Sequence, residues 1–343
     1  MRFVRQFSAT ILWGAIVTLI LSGTTVSAAD SSETAEAPSS DKTEYILRFK
    51  FEPGQKVSYN VVYEMAHTSR KGQTTETAFN KSTTAKHFLV KDVKENGNAT
   101  LVSYIDSVTM QVRFNDSDPV KFDSKNEGVS LPQFKKIKAS IGVPLAETTF
   151  EPTGNVINLL NLQEVSKQDQ ETKTADSSEI EKVSASTPPA RAEQADQEED
   201  EDDVNAVGNY LVRFPEQPLK IDDRWSQSFS VPVMVDRSLQ QFVRLNREYR
   251  LRSVEDGIAH LTFKTSVLSA VHNPTISSQL IQNTPSGSID FDLERGLILK
   301  RTAELDNTEF GFSGDNSSMR AVSKTTETFV EAKIIPTAES AEQ

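Results

Sequence analysis

The side chains in this 343-residue sequence best suited to acid–base or metal chemistry are its four histidines, His67, His87, His260 and His272. A metal or general-base site read from sequence would need two of them at ligand spacing, such as HxxxH on one helix face, or a thiol to complete the set. No two are so spaced, and the chain has no cysteine. Each therefore reads as a surface or strand histidine. Asp123 and Asp292 stand in matching "FD" contexts, and two carboxylates brought together could divide the roles of acid and base. Both flank glycine-bearing turns, where an aspartate usually holds the turn. "NDSDP", residues 115–119, is oxygen-rich like a calcium loop but lacks its glycine and terminal glutamate, so it reads as an Asx-type turn. There is no GxSxG elbow, no P-loop and no dinucleotide fingerprint. The expectation is a protein that is not an enzyme, with no catalytic, cofactor-binding or metal-binding residues.

Two faces could instead bind. In "RLNREYRLR", residues 244–252, a strand would place Arg244, Arg250 and Arg252 on one side with Asn246 and Glu248. That side is a candidate anion face for a headgroup or polysaccharide; the plainer alternative is a solvated edge strand blunted by charge. Arg48 and Arg213, in the repeated pentapeptides "YILRF" and "YLVRF", are outward strand residues or, less simply, a paired anion site. Tyr59, Tyr63, Met65, Met110 and Phe114 form the candidate apolar ligand face; the alternative is that they pack as core.

The elements that must position these residues are mostly strands. Val57, Tyr59, Val61, Tyr63 and Met65 alternate with polar neighbours at period two, the signature of a half-buried strand. Val102, Tyr104, Val108, Met110, Val112 and Phe114 share one parity and are expected on one face, with Asp106 interrupting. Phe229, Val231, Val233 and Val235 alternate, as do Ala259, Leu261, Phe263 and Val267 around Thr265. One helix is expected: Ser130 as its cap, Pro132 in its first turn, Leu131, Phe134, Ile137 and Ile141 near one face, and Gly142 ending it.

The pentapeptide echo is part of a longer one. Tyr45 to Phe49 are followed by Pro53, Val57 and Tyr59, and Tyr210 to Phe214 by Pro218, Ile221 and Trp225. "VKENGNATL" (93–101) matches "VEDGIAHL" (254–261), and "FDSKNEGVSL" (122–131) matches "FDLERGLIL" (291–299), with Phe150 to Val156 repeating the turn logic once more. Matches in one order at similar offsets indicate a β-scaffold built twice.

The rest of the chain sets the surroundings. Arg2 and Arg5, the apolar run from Ala9 to Leu21 and the small residues Val26 to Ala29 read as a signal peptide over 1–29. No later stretch is apolar enough to span a membrane. Residues 30–44 read as a disordered spacer, and 164–207, ending in "EQADQEEDEDD" and rich in acids, as a disordered linker. They separate a first β half (45–163) from a second (208–336), with a disordered tail at 337–343. The formal net charge of −12 disfavours nucleic acid as a partner, since phosphate binding needs clustered positive charge. With no cysteine, no disulfide staples the fold and no lipid is attached through a thiol.

"LRFKFEPGQKVSY" (47–59), "FPEQPLKIDDRW" (214–225) and the strand-turn-strand "VKENGNATL" together resemble a group of uncharacterised exported bacterial β-proteins of the kind numerous in planctomycetes. In that group a glycine is usual where this chain has Asp222-Asp223. The resemblance implies location and fold class and no activity. The expected fold is mainly β, two related antiparallel halves as meander sheets or a sandwich, with one or two short helices. The expected function is a non-catalytic, exported envelope protein in the periplasm or outside the cell, binding a protein or polysaccharide or acting as scaffold. The alternative is a periplasmic carrier of a lipid or other apolar ligand between curved sheets. No cofactor is expected.

Overall fold

The computed structural model describes residues 43–126, 131–163, 212–235 and 239–335. The signal peptide, nearly all of the spacer, the acidic linker, the tail, Ser130 and Tyr210 lie outside them. The strands are β1 (Gln55–Lys71), β2 (Thr74–Val93), β3 (Ala99–Phe114), β4 (Val120–Asp123), β5 (Pro144–Phe150), β6 (Val156–Asn161), β7 (Arg224–Met234), β8 (Gln240–Glu255), β9 (Ile258–Val267), β10 (Ser286–Asp292), β11 (Leu297–Phe310) and β12 (Ser317–Ile334). The helices are α1, a 3-10 turn over Pro132–Phe134 continued by Lys135–Ala139, and α2 (Pro274–Leu280).

The strands form one antiparallel sheet in the order β6-β5-β3-β2-β1-β12-β11-β10-β9-β8-β7, with β4 paired to β3. The two expected halves are thus one sheet, joined along the β1–β12 ladder from Gln55↔Ile334 to Lys71↔Ser317. Each half has three strands, a helix and then a hairpin, so β1-β2-β3-α1-β5-β6 is followed by β7-β8-β9-α2-β10-β11. Cross-strand pairing re-registers the sequence repeat. Ala99 faces Phe150 in the first half as Ala259 faces Phe291 in the second. The counterpart of Phe291 is therefore Phe150, while Phe122 lies in β4 opposite Met110.

The sheet is sharply bent. Phe49, in the segment leading into β1, lies 6.0 Å from Phe150 of β5 and 5.5 Å from Phe291 of β10. Those strands stand far apart in the strand order, so one ring can touch both only if the two arms face each other. Phe214, in the segment leading into β7, sits 5.2 Å from Phe49. The leading segments pair through Tyr45 and Leu219, and Arg48 donates to the Pro215 and Glu216 carbonyls at 2.8 and 2.6 Å. The "YILRF" echo is therefore structural: the first copy meets the described residues of the second, Val212 to Phe214, at one end of the bent sheet, called here the plugged end. At the opposite end, called here the hairpin end, lie the β1–β2, β3–β4, β7–β8 and β11–β12 turns.

Each arm is filled on its inner face. Phe134 and Ile137 of α1 pack on Ile105, Val108, Met110 and Phe122, and Ile276 and Leu280 of α2 pack on Phe229, Val233, Val243 and Leu245. Pro132 opens α1 as expected, but Leu131 stands at its cap without a side-chain bond and is exposed rather than on the packed face. Sequence reasoning did not place α2, although Asn273 Oδ1 accepts from Thr275 N at 2.9 Å before Pro274 in a recognisable start signal.

The expected single face of β3 is corrected by a bulge. Ala85 pairs Ser107 and Lys86 pairs Ile105, so Asp106 has no partner across the ladder. The extra residue flips the parity. Val108, Met110, Val112 and Phe114 face inward, whereas Val102 and Tyr104 face outward.

Gly154 and Gly257 separate two costs of a left-handed backbone. At Gly154, φ +87°, an added Cβ would lie 2.2 Å from the Val212 carbonyl, while at Gly257, φ +78°, it would meet nothing within 4 Å. Gly257→Ala is expected to lose about 1 kcal/mol of stability, from backbone conformation alone. Gly154→Ala should lose more than about 2 kcal/mol, since the second leading segment must also move. Urea unfolding midpoints of the two variants check this.

Candidate functional site: the inner face of the central strands

In the arms the inner face is apolar; at the centre it is not. One cross-strand row runs Met110, Ser82, Tyr63, Thr325, Ala303 and Gly287 to Phe263. The next runs Val112, Asn80, Met65, Ser323 and Leu305. Large side chains in the arms give way to small and polar ones on β2, β12 and β11, leaving a floor of hydroxyls and an amide. Ser82, Ser323 and Thr325 are buried. Asn80 Oδ1, Ser323 Oγ and Thr325 Oγ1 are fully shielded and have no formed hydrogen bond. Buried oxygens are nearly always satisfied, so three on one face mark a place where a partner group belongs. Tyr63 and Met65 lie beside them, the Tyr63 hydroxyl 2.8 Å from Met65 Sδ. Burial pushes the Tyr63 phenol up to about 12, with the adjacent Ser323 hydroxyl acting in the opposite sense.

Toward the plugged end the floor becomes ionic. Glu327 accepts from Lys86 at 2.7 Å and from Arg301 at 2.8 Å. Burial alone would raise the Glu327 carboxyl; the two cations outweigh it and hold it down at about 2. Tyr59, one row further, packs its ring 6.1 Å from Phe88 and 5.9 Å from Phe329. Its phenol is pushed up by burial and, less, by Glu327. Toward the hairpin end the floor turns apolar again, with Leu305, Ala321, Met319 and Ile281 in one cluster. The face thus runs from charge through hydroxyls to a small apolar cluster, which shares its cross-strand rows with His67, Asn307 and Glu309.

All five residues of the expected apolar face point inward, but they do not form one site. Tyr59 is core, Met110 is covered by α1, and Phe114 is exposed at the hairpin end. Only Tyr63 and Met65 join the floor. Asn80, Ser82, Lys86, Arg301, Ser323, Thr325 and Glu327 were missed. On β12 the inward Ser323, Thr325 and Glu327 alternate with Lys324, Thr326 and Thr328, so no contrast in polarity marks a face.

Arg244, Arg250 and Arg252 do share the outer face. Arg250 is paired with Asp222 at 2.6 Å, and Arg252 donates to Thr262 Oγ1 at 3.1 Å. Arg244 stands roughly 20 Å along the strand from Arg250. β7 flanks β8, so this is not the edge strand of the alternative reading. Arg247 turns inward, 5.3 Å and 5.4 Å from the Phe229 and Phe263 rings.

On the outer face Ser253, His260 and Asp290 lie opposite one another on β8, β9 and β10, and His260 Nδ1 is 2.8 Å from Asp290 Oδ1. No hydrogen bond joins Ser253 to His260. The surrounding strand amides are engaged in ladders, so no oxyanion donors converge there. His87 pairs with Asp106 at 2.9 Å. Asp292 holds its turn, accepting from Arg295 N and Nε at 2.7 Å, and Asp123 accepts from Lys125 N at 2.9 Å. Among the described residues, no three His, Asp or Glu gather as metal ligands, and no helix is long and apolar enough to cross a membrane.

These features define a mostly β protein built on a single bent antiparallel sheet with an inward polar floor. The chain belongs to a family of unknown function, DUF6263, which matches residues 96–298. No curated protein matches it. Among solved structures it is similar to lipovitellin, in a structure titled for its lipid–protein interactions, at 13% identity and a TM-score of 0.46 over 85% of this chain and 27% of that one. This chain thus spans about a quarter of that chain's length. A DUF1329 family protein from Desulfovibrio piger is 10% identical with a TM-score of 0.14, over 82% of this chain and 87% of that one. OpdQ from Pseudomonas aeruginosa is 8% identical with a TM-score of 0.17, over 80% and 98%.

Proposed function

We propose that the protein is a non-catalytic binding protein of the cell envelope, exported by its amino-terminal segment, and that it carries an amphipathic, lipid-like ligand on the inner face of the central strands. The observation that carries this reading is the set of three shielded oxygens without partners, on Asn80, Ser323 and Thr325, between an ionic cluster and an apolar one. A ligand hydroxyl, amide or ester supplies the missing partners, and its chain lies toward Leu305 and Met319. This is the carrier alternative of the sequence reading, and these residues are what supports it. Protein and polysaccharide partners are less well matched, because this floor lies on the concave side.

Thr325→Val tests it, because stability of the empty protein and affinity for the ligand should move in opposite directions. In protein stripped of ligand, exchanging an unsatisfied buried hydroxyl for a methyl of similar shape should stabilise the fold by about 1 kcal/mol. Affinity for an anthracene-labelled C16 fatty acid should fall about fivefold, the loss of one hydrogen bond. Wild type should bind one probe per chain, saturably. Absence of saturable binding, or equal binding by the variant, rejects the site.

A further inference from the structure

The sheet has two free edges, and the internal repeat shows what each is built to meet. By the order of elements in the two halves, β6 is the counterpart of β11 and β7 the counterpart of β1. β11 and β1 are not neighbours: β12 lies between them and pairs antiparallel to both. β6 and β7 end the strand order, and among the described residues no strand lies between them. One junction of the two halves is therefore filled by a strand, and its equivalent is open.

Direction sets how many strands the open junction takes. Neighbours alternate along the sheet, so β6 and β7, like β11 and β1, run the same way, from the plugged end. They cannot join each other in an antiparallel ladder, whereas one chain running back toward the plugged end satisfies both. At the plugged end the width is that of one chain. Phe214 N donates to the Thr153 carbonyl, in the turn before β6, at 2.7 Å. Trp225 Nε1, at the start of β7, donates to the Arg213 carbonyl at 2.9 Å. The filled junction begins alike, with Lys50 N donating to the Gly296 carbonyl, in the turn before β11, at 3.2 Å.

Both edges can pair. β6, Val156–Asn161, has no charge and no proline, and Ile157 and Leu160 are exposed on it. Apart from a bulge at Ile157, nothing blunts it as solvent-facing edges usually are blunted. On β7 the residues with outward side chains, Ser226, Ser228 and Ser230, turn both backbone groups away from β8. Met234 shares their parity, and there the Gln279 amide stands in for a neighbouring strand: Met234 N donates to Gln279 Oε1, and Gln279 Nε2 donates to the Met234 carbonyl, each at 2.7 Å. The inner side of the junction is apolar, walled by Phe229, Val231 and Val233. The sequence from Glu164 to Asp203, between β6 and β7, has 14 acids and 4 bases, a poor match to that wall.

We infer that the junction between β6 and β7 takes an extended segment of another protein as an added strand, antiparallel to both edges, with alternate apolar side chains turned inward. This site is separate from the floor, and strand addition holds whether or not the floor carries a ligand.

The test uses the full chain and a fluorescein-labelled peptide, Lys-Thr-Val-Thr-Val-Thr-Val-Lys, against the permuted Lys-Val-Val-Val-Thr-Thr-Thr-Lys. The alternating peptide should bind saturably, one per chain, and about fivefold or more tighter than the permuted one. Ser228→Pro removes an edge-facing N–H on a strand that already carries Pro232 at that parity. It should weaken binding about fivefold or more, with unchanged thermal unfolding. Amide exchange should slow on binding in Val156–Asn161 and in 226–230, a readout that needs no variant. Absence of saturable binding, equal binding of the permuted peptide, undiminished binding by folded Ser228→Pro, or unchanged exchange in both strands overturns the inference. So does protection of both edges in the chain alone, which would mean that its own 164–211 segment or a second copy fills the junction.

Discussion

Phe49→Ala should lower the unfolding free energy by about 3–5 kcal/mol, the upper range for emptying an aromatic core position. Phe49 is buried against Phe51, Phe150, Phe214 and Phe291. Its ring is the point at which the first arm, the second arm and the second leading segment meet. The loss therefore reaches beyond a local cavity, because the contact that keeps the arms facing each other goes with it. Phe49→Ala and Phe214→Ala should be strongly non-additive, since each removes the other's partner. Chemical denaturation of the two single variants and the double variant measures both. A loss below about 1 kcal/mol for Phe49→Ala would mean that the leading segment rests on the sheet without bracing it.

Glu327→Gln should cost about 3–5 kcal/mol at neutral pH, since it leaves Lys86 and Arg301 facing each other around a neutral group inside the sheet. The pH dependence identifies the cause. The folded carboxyl is held down at about 2 against an ordinary value of 4.5. A depressed carboxyl contributes stability that is complete above its unfolded pKa and is lost as pH falls toward the folded one. That contribution is about 3 kcal/mol. Wild-type stability should therefore fall between about pH 4.5 and pH 2 more steeply than that of Glu327→Gln, and the two should converge at the acid end. A difference that stays constant with pH would assign the cost to packing instead of charge.

Much of the fold was legible because alternation reports burial wherever one face is apolar. The strand through Val57, Tyr59, Val61, Tyr63 and Met65 and that through Ala259, Leu261 and Phe263 point as their patterns imply. The repeat was legible from Tyr45 to Phe49 and at the turn before Ala99, and the structure shows why: these residues make the plug and the pairing that both halves share. Two things were not legible. Parity carries no mark of a bulge, so Val102 and Tyr104 were placed with Met110 although Asp106 separates their faces. The floor was invisible for a deeper reason. Its inward residues on β2 and β12 are as polar as their outward neighbours, and only the bend of the sheet buries Ser82, Ser323 and Thr325.

The most direct test of the carrier proposal is native mass spectrometry of the protein purified gently from its native cells, paired with mass analysis of an organic extract. The account predicts one amphiphile bound per chain, depleted in Thr325→Val relative to wild type. Folded protein that carries no organic molecule, and takes up no acyl probe when offered one, would contradict it.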